Sequence, residues 1–172
     1  MNLSDFQLHQ ADSRDAQAIA DLVNLTYRGP AGWTRETAII DGTRTCQDEI
    51  EKIMLNPEAC FLVSYWQQKL AACICVVHEN EHAYIGFFAV DPELQKKGLG
   101  KQVLMQAEMF ASSTMGVCKF IMFVVSQRQE LIAFYRRRGY VPTGRIEPYP
   151  LHLSMGIPKV PGLTIEYLEK LI

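Results

Sequence analysis

The sequence predicts a mixed α/β (α+β) fold, with a central sheet of about seven strands and helices packed on both faces. Two patterns predict it. Three apolar, strand-like runs succeed one another between residues 59 and 90, and two strand–helix units follow, ending near Met115 and Gly139. No repeat, low-complexity tract or linker interrupts the 172 residues, and a hydrophobic content of 48% is enough for one substantial core. A single domain is therefore expected over 1–172, with its recognisable core at 6–155 and a short C-terminal extension at 156–172.

Residues 6–9 alternate apolar and polar side chains, which predicts a first strand. Asp12 or Ser13 can cap a helix that carries Ala16, Ile19, Ala20 and Val23 on one face. The run Tyr27-Arg28-Gly29-Pro30-Ala31-Gly32-Trp33 breaks that helix and reads as a loop. A weaker helix is expected over 47–55, before Pro57, because a proline disfavours helical backbone at the preceding residue. Residues 60–66 and 70–78 form a hairpin around Gln67-Gln68-Lys69, and 83–90 is a third, aromatic-rich strand. Leu99, Val103, Ala107 and Phe110 recur at helical spacing and predict a helix to about Met115. Residues 120–125 form another strand. Ser126-Gln127-Arg128-Gln129 has the form of a capping box before a helix bearing Leu131, Phe134, Tyr135 and Arg138, with Gly139 placed to end it. The last expected elements are strands at 140–145 and 151–155 and a short terminal helix at 164–171.

A net charge of −2 and a pI near 6.1 argue against a general nucleic-acid binder. Arg136, Arg137 and Arg138 do not alter this, since consecutive helical residues point in different directions and cannot make one basic stripe. The five cysteines (Cys46, Cys60, Cys73, Cys75, Cys118) are odd in number and contain no CxxC pair, which predicts reduced thiols rather than a disulfide framework or a metal site. Residues 1–10 are polar and acidic, and no apolar run is long enough to span a membrane. The expectation is a cytoplasmic protein with neither membrane nor nucleic acid as partner.

The most informative stretch is Val90-Asp91-Pro92-Glu93-Leu94-Gln95-Lys96-Lys97-Gly98-Leu99-Gly100-Lys101. It follows a strand and opens a helix. Two glycines one residue apart let the backbone approach a ligand, and the first helical amides have no internal partners. With three lysines around it, the turn is a seat for a phosphate or pyrophosphate. A dinucleotide fingerprint would need a third glycine where Val103 stands, and a P-loop would need an earlier glycine and Lys-Ser/Thr where Gln95 and Lys101-Gln102 stand.

The order strand, Val90-Asp91-Pro92, Gln95-x-x-Gly98-x-Gly100 and amphipathic helix resembles motif A of the GCN5-related N-acetyltransferase (GNAT) superfamily. Further on, Phe134-Tyr135-Arg136-Arg137-Arg138-Gly139-Tyr140 is similar to the family's Phe-Tyr-x-x-x-Gly-Phe/Tyr motif. The resemblance covers residues 6–155. It implies the GNAT acyl-CoA N-acyltransferase fold, with acetyl-CoA (coenzyme A) as co-substrate and no metal. It also implies that the amides of Gln95, Lys96, Lys97, Gly98, Leu99, Gly100 and Lys101 hold the pyrophosphate. Phe88, Ala89 and Val90 would line the pantetheine arm through their backbone, on a strand that bulges and splays from its neighbour. A backbone amide near Phe88 would polarise the thioester carbonyl, and Tyr135 would be the general acid toward the leaving thiolate. One position departs from the pattern: Arg128 stands where many relatives have an Asn that contacts the cofactor, and it can instead meet a phosphate or a carbonyl.

Acyl transfer to an amine needs an anchored donor, a polarised carbonyl, a neutral amine and a protonated leaving group. No carboxylate lies within 83–90. Glu79, Glu81 and His82 stand at its entrance, Glu36 and Asp41 follow the Trp33 loop, and any of them can act as base through one water. The resemblance implies that the acceptor lies against the loop joining the first two helices and the loop near the last strands, which offer Trp33, Glu36, Arg44 and Tyr149. Trp33 with a carboxylate suits a cationic amine. Arg28, Arg35 or Arg44 suits a carboxylate on the acceptor. The expected activity is transfer of acetyl from acetyl-CoA to a primary amine of a small, amino-acid-like acceptor by direct attack in a ternary complex, by a monomer or homodimer. The alternatives are a non-catalytic CoA sensor, use of another acyl-CoA, and a protein amine as acceptor.

Overall fold

Alternating burial along the central strands assigns a helical layer to each face of the sheet. In β3 (Ala59–Trp66) Phe61 and Val63 point to one side and Cys60 and Leu62 to the other. In β4 (Lys69–Glu79) Cys73 and Cys75 likewise oppose Ala72, Ile74 and Val76. The first set packs under α1 (Ala16–Arg28) and α2 (Gln47–Met54), through Ile19, Ala20, Val23 and Ile50. The second packs against α3 (Leu99–Phe110) and α4 (Gln129–Arg136), through Leu99, Val103, Leu104, Ala107 and Ile132. The computed structural model describes residues 6–33 and 36–172, and none of the helices described is long and apolar enough to cross a membrane.

The seven-stranded sheet runs β1 (His9–Gln10), β3, β4, β5 (His82–Val90), β6 (Lys119–Val125), β9 (Thr164–Leu171), β7 (Val141–Pro148). Its pairings are antiparallel except β5–β6. A separate ribbon pairs β2 (Ile40–Asp41) with β8 (Ile157–Pro158).

Most elements fall where the periodicity predicts, and the departures have local causes. Asp12 caps a short 3₁₀ turn ahead of α1, exchanging side-chain bonds with the amides around Asp15. α1 does not stop at Tyr27, as expected, but runs to Arg28 and ends where Gly29 N–H bonds the Leu25 carbonyl at 3.0 Å, just before Pro30. The Ser126 capping box does not form: the Ser126 hydroxyl accepts from Thr164 Oγ1 at 2.9 Å, and Arg128 is the N-cap without a side-chain cap bond. The strand expected at 151–155 is a 3₁₀ turn, Leu151–Leu153, followed by left-handed Ser154. Pro148 and Pro150 lack the N–H a ladder needs, and Tyr149 Oη donates to the Met155 carbonyl at 2.8 Å across the turn.

The largest correction is at 164–171, expected as a terminal helix and found as β9, between β6 and β7. Ile165 and Leu168 are three apart, which imitates a helical face. In the strand they point to opposite sides, Ile165 into a cluster with Ile40, Val125, Tyr149 and Met155, and Leu168 into the α3–α4 core. With both faces covered and both edges offering backbone partners, packing overrides propensity. Leu168→Ala should therefore cost about 2–5 kcal/mol in urea denaturation. Leu171→Ala, at a position 70% exposed, should stay within about 0.5 kcal/mol. Equally small losses would contradict a buried central strand.

Candidate active site

The site begins with an extra residue in β5. Cys73 pairs with Ala89 and Cys75 with Gly86, so Phe87 and Phe88 together stand opposite Ile74, a β-bulge. Phe87 adopts a left-handed backbone (φ 47°), and Cys73 Sγ donates to its carbonyl at 3.5 Å. Burial pushes the Cys73 thiol up to about 12, so it stays a protonated donor. The bulge sends Phe87 onto Phe61 (5.5 Å between centroids), on the α1–α2 side. Phe88 goes the other way, toward Phe134 (6.2 Å) and Tyr135 (6.5 Å). Past the bulge the sheet opens: β5 and β6 pair only at Ala83–Phe120 and Tyr84–Ile121. The expected bulge and splay are both present.

On the α3–α4 side of the opening lies a cleft of about 490 Å³. One wall is the start of α3. Gly98 is its N-cap with φ 88°, no side chain caps its amides, and Lys96 is also left-handed (φ 62°). Such alternation gathers successive N–H groups into an anion-binding concavity. Of the residues expected around the cofactor, Phe88, Val90, Gln95, Lys96, Gly98, Gly100, Lys101, Arg128 and Tyr135 line this cleft. The side chains of Ala89, Lys97 and Leu99 do not. Ala89 packs with Val23 and Cys73 on the α1 face, Leu99 is in the α3–α4 core, and Lys97 Nζ donates to the Glu93 carbonyl at 2.9 Å. Only their backbone is left for the expected role. Gln95 is a strut: Nε2 donates to the Val90 carbonyl and Oε1 accepts from Trp33 N–H, both at 2.9 Å.

Through the splay, the cleft meets a smaller cavity of about 60 Å³. Tyr27, Phe88, Arg128, Leu131 and Tyr135 border both. Of the expected acceptor residues, Glu36, Arg44 and Tyr149 line the small cavity. Trp33 does not. It borders the larger cleft, edge-on to Phe134 at 5.9 Å. Arg35 lies outside the described residues.

Two of these acceptor residues are already engaged within the protein. Glu36 is buried, with Oε2 bonded by Arg28 Nη1 and Oε1 by Arg128 Nη1 at 2.5 Å. Arg28 also donates to the carbonyls of Met155 (2.6 Å) and Gly42 (3.1 Å). Tyr149 spends its hydroxyl on Met155. Among the expected bases, Asp41, Glu79, Glu81 and His82 border neither cavity, and His82 Nε2 instead meets Glu79 Oε2 at 3.3 Å.

Tyr135 is 6% exposed, and burial raises its pKa above that of an ordinary tyrosine, so the hydroxyl stays protonated at neutral pH. The sequence reading missed Tyr27, whose hydroxyl donates to the Phe88 carbonyl at 3.3 Å. A signal for it existed: Tyr27 continues the Ala16–Ile19–Val23 face by one more turn. Arg138 also borders the cleft, lying 3.3 Å over the Phe134 ring and donating to the Phe134 carbonyl at 2.6 Å. Removing the shared carboxylate leaves two buried guanidinium groups uncompensated, so Glu36→Ala should lower stability by about 3–5 kcal/mol in urea unfolding. A loss below about 1 kcal/mol would mean the arginines hold their places without it.

Residues 18–140 match the model of the acetyltransferase (GNAT) family. No curated protein sequence matches the chain. Among solved structures, the spermidine N-acetyltransferase of Vibrio cholerae, in complex with CoA and spermine, is similar with a TM-score of 0.72. It is 17% identical, over 98% of this chain and 96% of that one. The PaiA N-acetyltransferase of Thermoplasma acidophilum, in complex with coenzyme A, gives 0.68 at 17% identity, over 97% and 99%. The ribosomal-protein-S18-alanine N-acetyltransferase of Escherichia coli gives 0.71 at 16% identity, over 97% and 94%. At such identities the likeness is one of fold, and it extends over nearly the whole chain. The matched family model covers most of the chain, including the α3 turn and the Phe134-Tyr135 helix, and on that ground the chain belongs to the GNAT family of acetyltransferases.

Proposed function

We propose that the chain transfers the acetyl group of acetyl-CoA to the primary amine of a small molecule, by direct attack within a ternary complex. The observation that carries this reading is the meeting of two unequal cavities at the β5–β6 splay, with Phe88 and Tyr135 on their shared border.

The larger cleft suits coenzyme A. Uncapped amides at the start of α3 favour a pyrophosphate, and Lys96, Lys101, Arg137 and Arg138 border the cleft with positive charge. A Cβ on Gly100 would lie 3.6 Å from both Phe88 and Phe134, so a longer side chain there would enter the space between them. When bound, acetyl-CoA supplies the activated thioester. Toward it, the stretch from Phe88 to Val90 presents a strand edge that β6 does not pair, and Tyr135 offers a protonated hydroxyl to the departing sulfur. Glu36 is neutralised by two arginines, so the amine must arrive neutral or lose its proton to water. We take the cytoplasm as the setting, a reading that five free thiols support.

Gly100→Leu sits at a helical position free of left-handed strain. It should weaken CoA binding in calorimetry by roughly 10- to 100-fold, the equivalent of 1–3 kcal/mol of overpacking, while the protein remains folded. Unchanged affinity would remove the cleft as the CoA site. Tyr135→Phe should lower turnover by roughly 10²-fold with little change in KM for acetyl-CoA. Because burial raises the hydroxyl's pKa, its ionisation should not limit the wild-type rate below about pH 10. Equal rates would return Tyr135 to a packing role. Tight CoA binding without thiol release for any amine would identify a sensor instead.

A further inference from the structure

Arg44 borders the smaller cavity, and one of its donors has no acceptor. Arg44 Nη1 is buried and makes no hydrogen bond within the protein. A buried charged donor left unpaired is costly.

The chain nevertheless holds this arginine firmly. The Asn24 side chain clamps its backbone to α1: Oδ1 accepts from the N–H groups of Arg44 (2.7 Å) and Thr45 (3.2 Å), and Nδ2 donates to the Thr45 carbonyl (2.9 Å). Its guanidinium lies over Phe87, 4.6 Å from the ring centroid, and 5.9 Å from that of Tyr27. Phe87 is in turn fixed by the left-handed bulge. A cation stacked and clamped in this way is pre-ordered for a planar anionic partner.

The charge balance of the cavity points the same way. Glu36 is the one carboxylate on its border among the described residues, and both its oxygens are taken by Arg28 and Arg128. A polyamine would face the Arg44 cation with no free carboxylate to meet it. The cavity opens onto the larger cleft, so a carboxylate beside Arg44 leaves the amine at their shared border. Phe123, Tyr84 and Met155 add an apolar wall for a short side chain.

We infer that Arg44 grips the carboxylate of the acceptor, so the acceptor is a small free amino acid that presents its α-amine at the border shared with the donor cleft. This inference rests on the acetyl-transfer reading, and its test separates the two. Thiol release from acetyl-CoA is measured with L-alanine, L-leucine and L-methionine, each beside its amide. The amides carry more neutral amine at a given pH, so a preference for the free acids cannot come from amine basicity. Wild-type kcat/KM should favour the acids by roughly 10- to 100-fold, and Arg44→Gln should bring that ratio close to one. A wild-type ratio near one, or a ratio that survives in Arg44→Gln, overturns the Arg44 assignment while acetyl transfer stands. If no amine releases thiol, the transfer reading fails, and the same amino acids are titrated calorimetrically into the CoA-bound protein. Binding that Arg44→Gln abolishes supports the carboxylate grip, and no binding overturns it.

Discussion

The constraint on which the rest of the structure depends is the single extra residue in β5. A regular β5 would continue its ladder along β6, and the sheet would have no opening at its centre. With two residues opposite one, Phe87 and Phe88 leave on opposite faces, Phe87 lining the smaller cavity and Phe88 the border of both. Phe87 supports the Arg44 guanidinium, while Phe88 borders the cleft that ends at the uncapped amides of α3. The bulge is held by groups that cannot follow pH in the neutral range, the Cys73 thiol on the Phe87 carbonyl and the Tyr27 hydroxyl on that of Phe88. Backbone strain at one position is thus maintained from the α1 side of the sheet, where both groups lie.

A second organising element is the Arg28–Glu36–Arg128 triad. Buried ion pairs contribute little net stability against an apolar alternative, but their geometry can fix how elements meet. Here one carboxylate joins the end of α1, the loop after it and the start of α4, and Arg28 extends the tie to the Met155 carbonyl. Gly156 lets that segment pass close: a Cβ there would lie 2.5 Å from the Asp41 carbonyl oxygen. The triad thereby fixes one wall of the smaller cavity, and it leaves Arg44 as the border cation with an open donor.

The cleft proposed for the donor was legible in the sequence because the features that build it are local. A strand, a glycine-bearing turn and an uncapped helix start are specified by residues adjacent in the chain, and the aromatic pair Phe134–Tyr135 completes the wall from one further helix. The smaller cavity, proposed for the acceptor, was not legible, because its logic is tertiary. Glu36 reads as an available carboxylate until Arg128, 92 residues away, is seen to occupy it. Tyr27 was lost to the turn signal of Gly29-Pro30, although α1 needed just one more residue pair to carry it under β5. β9 was misread because Ile165 and Leu168 serve two different cores, and only the assembled sheet distinguishes that from one helical face.

The position of β9 also bears on how the chain reaches its fold. β6 is joined to β5 by two residue pairs but to β9 along its whole length. β7, made earlier, has β9 as its neighbour in the sheet. During synthesis both β6 and β7 therefore wait, edges open, for a strand that follows every other element of the sheet. The run from β3 to β5 can close its own hairpins as it emerges, through contacts that are close in sequence. The half that carries Tyr135 cannot. Its sheet is complete only when the final strand lies between two others, so the backing of the walls that β6 and β7 support depends on the last segment of the fold.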